Sequence, residues 1–148
     1  LLKEEYDLPV YISETEMEFY ERGGSLAQFL GKKEVKIEDE ILLKEEKGLF
    51  EIGDIEFKYY LYPGHTPGGL VYKTGDSIFC GDLIFKGSIG RTDLFGGDMY
   101  EMKMSLKEFL DEFDRFDRIY PGHMGSTTLD NELKYNSFIA EVTDDEII

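Results

Sequence analysis

Tyr59-Tyr60-Leu61-Tyr62-Pro63-Gly64-His65-Thr66-Pro67-Gly68 is an apolar, aromatic run that ends in Pro-Gly-His. The same ending recurs at Arg118-Ile119-Tyr120-Pro121-Gly122-His123. Proline cannot donate to a sheet ladder and glycine frees the backbone, so each run reads as a strand that stops at a sharp turn. Each imidazole then stands at a strand end, held by its turn and open to a cleft. His65 and His123 are the only two histidines of the chain. Three of the four prolines, Pro63, Pro67 and Pro121, flank them. A frame used for both histidines points to a shared task.

A third element lies between these two. Ile78-Phe79-Cys80-Gly81-Asp82-Leu83-Ile84-Phe85 sets one carboxylate between two apolar runs. An aspartate in such a place is paired, metal-bound or a turn residue. Neutral imidazole and carboxylate are donors for zinc, and also for iron or manganese. His65, Asp82 and His123 are therefore a candidate three-ligand site with an open position.

Outward from these motifs the chain reads as one α/β unit over residues 1–148, rich in hairpins. Val10-Tyr11-Ile12 is strand-like, and Ser13 with Glu16 forms a capping box for a helix that stops at Gly23-Gly24. Ser25 is expected to cap a short helix over Leu26–Leu30, and Val35–Glu40 reads as a connector or an edge strand. Strands Gly48–Ile52 and Ile55–Leu61 meet at Gly53-Asp54, a strong hairpin turn. Leu70–Lys73 and Ser77–Cys80 meet at Thr74-Gly75-Asp76. Leu83–Phe85 is expected to continue a buried strand, and Gly87–Gly97 reads as a loop. Met102, Leu106, Phe109, Leu110 and Phe113 share one face of a helix over Met99–Phe113. Asp117–Tyr120 is a short strand, and Asp130 is expected to cap a last helix through Ile139.

Composition narrows the function. The chain has 148 residues, 41% hydrophobic and 14% aromatic, which suits one folded domain and not a disordered chain. A net charge of −16 repels phosphate backbones, so no nucleic-acid partner is expected. No apolar run approaches the length of a membrane span. The opening residues have neither a basic nor an apolar leader pattern, and lone Cys80 excludes an internal disulfide, which together suit a cytoplasmic location. Cys80 reads as a small buried residue, since nothing basic is near it. Tyr62 and Tyr120 read as core. Ser126, Thr127 and Thr128 read as satisfying backbone groups after His123. The acidic run Glu108–Asp117 reads as a solvated helix face.

Four motifs in order carry a family resemblance. Pro63-Gly64-His65-Thr66-Pro67-Gly68, Gly81-Asp82, Gly87-Ser88-Ile89-Gly90-Arg91-Thr92-Asp93-Leu94 and Pro121-Gly122-His123 resemble the metallo-β-lactamase superfamily, and within it the glyoxalase II-like hydrolases. The resemblance spans roughly residues 5–140. It implies an αββα sandwich with a two-metal site, zinc in the first place, at one edge of the sheets. By that resemblance His65 binds the first metal, Asp82 bridges both, and His123 binds the second. The resemblance further implies that water activated at the metal pair attacks a thioester or a related ester of a small-molecule substrate. Arg91 and Asp93 lie in the glycine-rich loop beside this site. They either orient substrate and support the ligands, or simply pair with each other.

The family's H-x-H-x-D-H motif is not in this chain, because no third histidine exists. The resemblance therefore implies the C-terminal portion of a larger fold with its first strands missing. An N-terminal segment, a partner chain or oligomerisation would complete it, since missing strands leave an apolar face and an open edge. Two other functions compete with the hydrolase. One is an inactive fragment or complementing subunit that acts by association. The other is a mononuclear iron enzyme of the persulfide dioxygenase kind.

Overall fold

The computed structural model describes residues 5–24, 31 and 39–144. The helix expected over Leu26–Leu30 and most of the connector Val35–Glu40 lie outside the described residues. β1 (Val10–Ser13) leads into α1 (Glu14–Phe19) and a π turn (Tyr20–Gly24), where Gly23 turns the chain at a φ of 87°. Ser13 caps α1 as expected, its Oγ accepting the Glu16 N–H at 3.0 Å. The Glu16 carboxylate reaches across the fold and accepts the Gly68 N–H at 3.0 Å. Ser13 Oγ donates to the Gly68 carbonyl at 2.7 Å. A Cβ at Gly68 would stand 2.2 Å from the Glu16 nitrogen, so glycine is required there.

The strands that follow are β2 (Glu40–Leu43), β3 (Lys47–Ile52), β4 (Ile55–Leu61), β5 (Leu70–Thr74) and β6 (Ser77–Gly81). After them come β7 (Ile84–Phe85), β8 (Ser88–Ile89), α2 (Met99–Glu112), β9 (Arg118–Pro121) and β10 (Thr127–Thr128). Two helices, α3 (Leu129–Tyr135) and α4 (Ser137–Asp144), close the described chain. The main sheet has six strands in the order β10-β9-β6-β5-β4-β3. All pairs are antiparallel except β6 with β9, which are parallel and joined through α2. β1 and β2 form a separate parallel pair. The expected α/β class holds, with both hairpins at Gly53-Asp54 and Gly75-Asp76 in place.

Period-2 alternation sends the two sets of side chains to opposite faces. Tyr60, Tyr62, Val71, Ile78, Cys80 and Ile119 form one core with Met102, Leu106 and Phe109 of α2 and Ile139 and Val142 of α4. The opposite face is aromatic. Phe50 stacks on Tyr11 at 4.1 Å and on Phe57 at 5.5 Å, and Phe79 stacks on Tyr120 at 5.3 Å. Phe79 and Tyr120 stay exposed, so Tyr120 is not the core residue expected of it. Its neighbour Ile119 takes that place.

Four further expectations are corrected. Leu83–Phe85 does not extend β6, because Gly81 turns the chain at a φ of 51° and Ile84–Phe85 pairs with Ser88–Ile89. The stretch Gly87–Gly97 therefore contains a strand. Thr128, not Asp130, caps α3, accepting the Asn131 N–H at 3.3 Å, and a break at Asn136 splits the last helix in two. Asp117 is buried: Lys73 pairs with it, and it accepts the Asp114 N–H at 3.1 Å.

Candidate metal centre

β4, β6 and β9 run in one direction, so their C-terminal ends meet at one edge of the sheet. His65, Asp82 and His123 follow those three ends. Carboxyl ends of strands are where α/β sheets place ligands, because the chain must turn there and leaves a crevice.

Each turn is tightly held. The Pro63 carbonyl accepts the Ser105 hydroxyl at 2.6 Å and the Gly64 carbonyl accepts the Asp98 N–H at 2.8 Å. Both bonds moor the His65 turn to the first half of α2. Gly64 has a φ of 136°, and a Cβ on it would lie 2.5 Å from the Met102 backbone. The Gly122 N–H donates to the Gly81 carbonyl at 2.8 Å, which ties the His123 turn to the Asp82 turn. Gly90 lies under both: a Cβ there would meet the Asp82 carbonyl oxygen at 1.8 Å and the His65 Cβ at 3.3 Å.

The outcome is a shared carboxylate. His65 Nε2 and His123 Nε2 each stand 3.4 Å from the same oxygen, Asp82 Oδ2. Among the described residues no group of three or more His, Cys, Asp or Glu side chains is placed to hold a metal ion by itself. The three donors are linked pairwise through Asp82 instead. His123 is the open member, its side chain 71% exposed against 29% for His65.

The donors fit divalent metal ions by their chemistry. His65 Nδ1 lies 2.8 Å from the Arg91 carbonyl, which can only accept, so Nδ1 carries the proton. In the neutral ring Nε2 then turns a lone pair toward a carboxylate oxygen. Two lone pairs facing each other are stabilised only by a cation, a proton or a metal ion. The gap is longer than a normal N–H···O bond of about 2.7–3.2 Å. At that spacing the paired atoms would serve as neighbouring donors to a metal ion.

The other expected residues divide. Arg91 Nε and Nη2 both bond Asp93, each at 2.9 Å, in an exposed fork. The hydrogen bond from Arg91 holds the Asp93 carboxyl below the usual carboxylate range. So the two side chains pair with each other, while the Arg91 backbone is what reaches His65. Cys80 is buried as expected, and burial pushes its thiol up to about 12. Thr127 is turned to a side chain and not to backbone: its hydroxyl donates to Glu132 at 2.5 Å.

Two residues to which the motifs gave no role stand out, Phe85 of the Asp82 stretch and Glu132 of the last helical segment. The Phe85 ring meets the His123 imidazole edge-on, centroids 5.8 Å apart. Glu132 has no solvent exposure and accepts bonds from Thr127, Asn131, Asn136 and the Gly87 N–H. Burial raises its pKa, but these four bonds together outweigh burial and hold it below the ordinary range. The signal for it was the i, i+3, i+7 spacing of Leu129, Glu132 and Asn136, which puts all three on the buried side of the helical segment.

Two histidines and an aspartate thus meet at three strand ends of an α/β sheet, and the comparisons give the family. The model of the metallo-beta-lactamase superfamily matches residues 1–123. The chain belongs to that superfamily. It is 32% identical over 142 residues to the Bacillus subtilis protein named "Probable metallo-hydrolase YqgX", covering 93% of this chain and 67% of that one. Among solved structures it resembles the BLEG-1 B3 metallo-beta-lactamase, with a TM-score of 0.78 and 30% identity over 93% of this chain and 68% of that one. It also resembles TTHA1623 in a di-iron-bound form, with a TM-score of 0.74, 35% identity and the same two coverages. The chain thus spans about two thirds of the length of each. No helix among the described residues is long and apolar enough to cross a membrane.

Proposed function

We propose that this protein is a metal-dependent hydrolase of thioesters or related esters, of the glyoxalase II-like kind. His65, Asp82 and His123 would hold the ions, zinc in the first place and iron or manganese otherwise. One observation carries the proposal: two imidazole nitrogens face a single carboxylate oxygen at equal distances of 3.4 Å. Asp82 would thus be a donor beside each of the two histidines. When bound, a metal pair lowers the pKa of water and clamps developing negative charge.

The chain's own residues supply the rest. The Arg91 carbonyl fixes the tautomer of His65 and turns Nε2 inward. Gly64, Gly90 and Gly122 keep the three turns close, where any larger residue would force them apart. Asp82 carries the negative charge that draws cations between the imidazoles. Arg91 and Asp93 lie exposed on the adjoining loop, where an acyl carrier would approach.

The reading includes further donors beyond these three, from an N-terminal segment or another chain. The aromatic face supports this part. Tyr11, Phe50, Phe57, Tyr72 and Phe79 line an open apolar groove of about 370 Å³ on it, and Phe79 is well exposed. Such a face favours cover by protein.

The deciding experiment is elemental analysis with intact mass on the same sample, followed by turnover of an acyl-glutathione thioester. About two ions per chain and thioester cleavage are expected. A protein without bound metal at the mass of these 148 residues overturns the hydrolase. It would leave the chain as a component that acts by association.

A further inference from the structure

We infer that Glu132 is a positioning residue for His123, acting through both neighbours of that imidazole. This inference rests on the assignment of His123 as a site residue.

His123 needs such a support. Its side chain is mostly exposed, and Met124 after it adopts a left-handed φ of 66°, which is costly for a residue with a side chain. Two parts of the fold hold it. One is the Phe85 ring at the foot of the β7–β8 hairpin, edge-on to the imidazole at 5.8 Å. The other is its own loop, which runs from Gly122 to Thr127 and re-enters the sheet as β10.

Both parts are fastened to one carboxylate. Glu132 Oε2 accepts the Gly87 N–H at 2.7 Å and the Asn136 amide at 2.9 Å. Asn136 in turn donates to the Phe85 carbonyl at 3.4 Å and the Ser88 carbonyl at 3.0 Å. The Phe85 hairpin is thereby held at its turn and at both strands. Glu132 Oε1 accepts the Thr127 hydroxyl at 2.5 Å and the Asn131 amide at 2.9 Å. The far end of the His123 loop is held there. A buried carboxylate with four donors is rigid, because releasing any of them leaves an unpaired polar group in the interior. Among the described residues His65 makes no hydrogen bond to Glu132, Asn136 or Thr127; its ring is held by the Arg91 carbonyl and its turn by α2.

The two histidines therefore provide separate reporters. Imidazole carbon–proton NMR spectra of the protein contain two sets of ring signals, one for each. In Glu132→Ala the His123 signals are expected to move and broaden, because the Phe85 ring current and the loop both change. The His65 signals are expected to move less, because His65 meets the network only at one remove, through Arg91 after β8. Thr127→Val, which cuts one tie and keeps the shape, is expected to move the same signals by less. It also serves as the test should Glu132→Ala not fold. His123 signals that stay in place in a folded variant, or equal movement of both histidines, overturn the inference. The spectrum requires neither metal nor turnover, so a failed hydrolase assignment is told apart from a failed positioning role.

Discussion

The Nδ1 nitrogen of His65 stands 2.8 Å from the backbone carbonyl of Arg91. The support is backbone, so any residue at position 91 can provide it. Arg91→Ala is therefore expected to leave metal content and thermal midpoint unchanged, since its side chain only pairs with Asp93 in solvent. Elemental analysis of the variant checks this, and a halved metal content would contradict it.

Asp82 Oδ2 is the atom common to both histidines. Asp82→Asn keeps the shape and removes the charge. Metal binding and thioester turnover are expected to fall by more than the roughly 10–100-fold typical of supporting residues. His65→Ala should do the same. Turnover at the wild-type rate in either variant ends the ligand assignment.

Gly122 separates stability from function. Its position is exposed, yet a Cβ there would lie 2.4 Å from Asp82 Oδ1. Gly122→Ala is expected to displace the carboxylate and depress activity about tenfold or more, while costing at most about 1 kcal/mol of stability. Paired urea unfolding and kinetics on one preparation check it. A large loss of stability with intact kinetics would contradict it.

Glu132 makes stability depend on pH. Its folded pKa lies below the ordinary value of about 4.3. Its contribution is therefore complete above that value and is lost as pH falls through the lower folded value. Glu132→Gln sets an amide donor against donors, and about 3 kcal/mol of destabilisation is expected at pH 7. Urea titrations from pH 7 to about pH 3 should show the gap to the wild type narrowing in acid. A constant gap would show that the charge is not involved.

Cys80 reports on the core beside Asp82. Burial pushes its thiol up to about 12, so very little thiolate exists at pH 8. Iodoacetamide is expected to label it only after denaturation, which mass spectrometry shows directly. Rapid labelling of the native protein would mean that the β6 end opens.

Much of the local structure was legible because the deciding contacts are short. Gly53-Asp54 and Gly75-Asp76 make their hairpins, and the Ser13 hydroxyl caps its helix from three residues away. The misread positions depend on distant partners. Asp117 looks like part of an acidic surface until Lys73 is brought across the sheet to it. The Glu16 carboxylate, expected to close its own capping box, bonds Gly68 fifty-two residues on. Tyr120 and Ile119 differ only in the face that the β6–β9 register assigns them.

The sequence by itself determined the candidate site residues and their turns. Pro-Gly-His can be read as a strand end because proline and glycine constrain their own backbone, whatever lies elsewhere. Only the tertiary structure decided that the three strand ends meet. The parallel pairing of β6 with β9, and the shared direction of β4, bring His65 and His123 to one oxygen of Asp82. The burial of Glu132 was decided there too. Those outcomes depend on strand order and register, which arise from packing between segments far apart in the chain, and no local pattern encodes them.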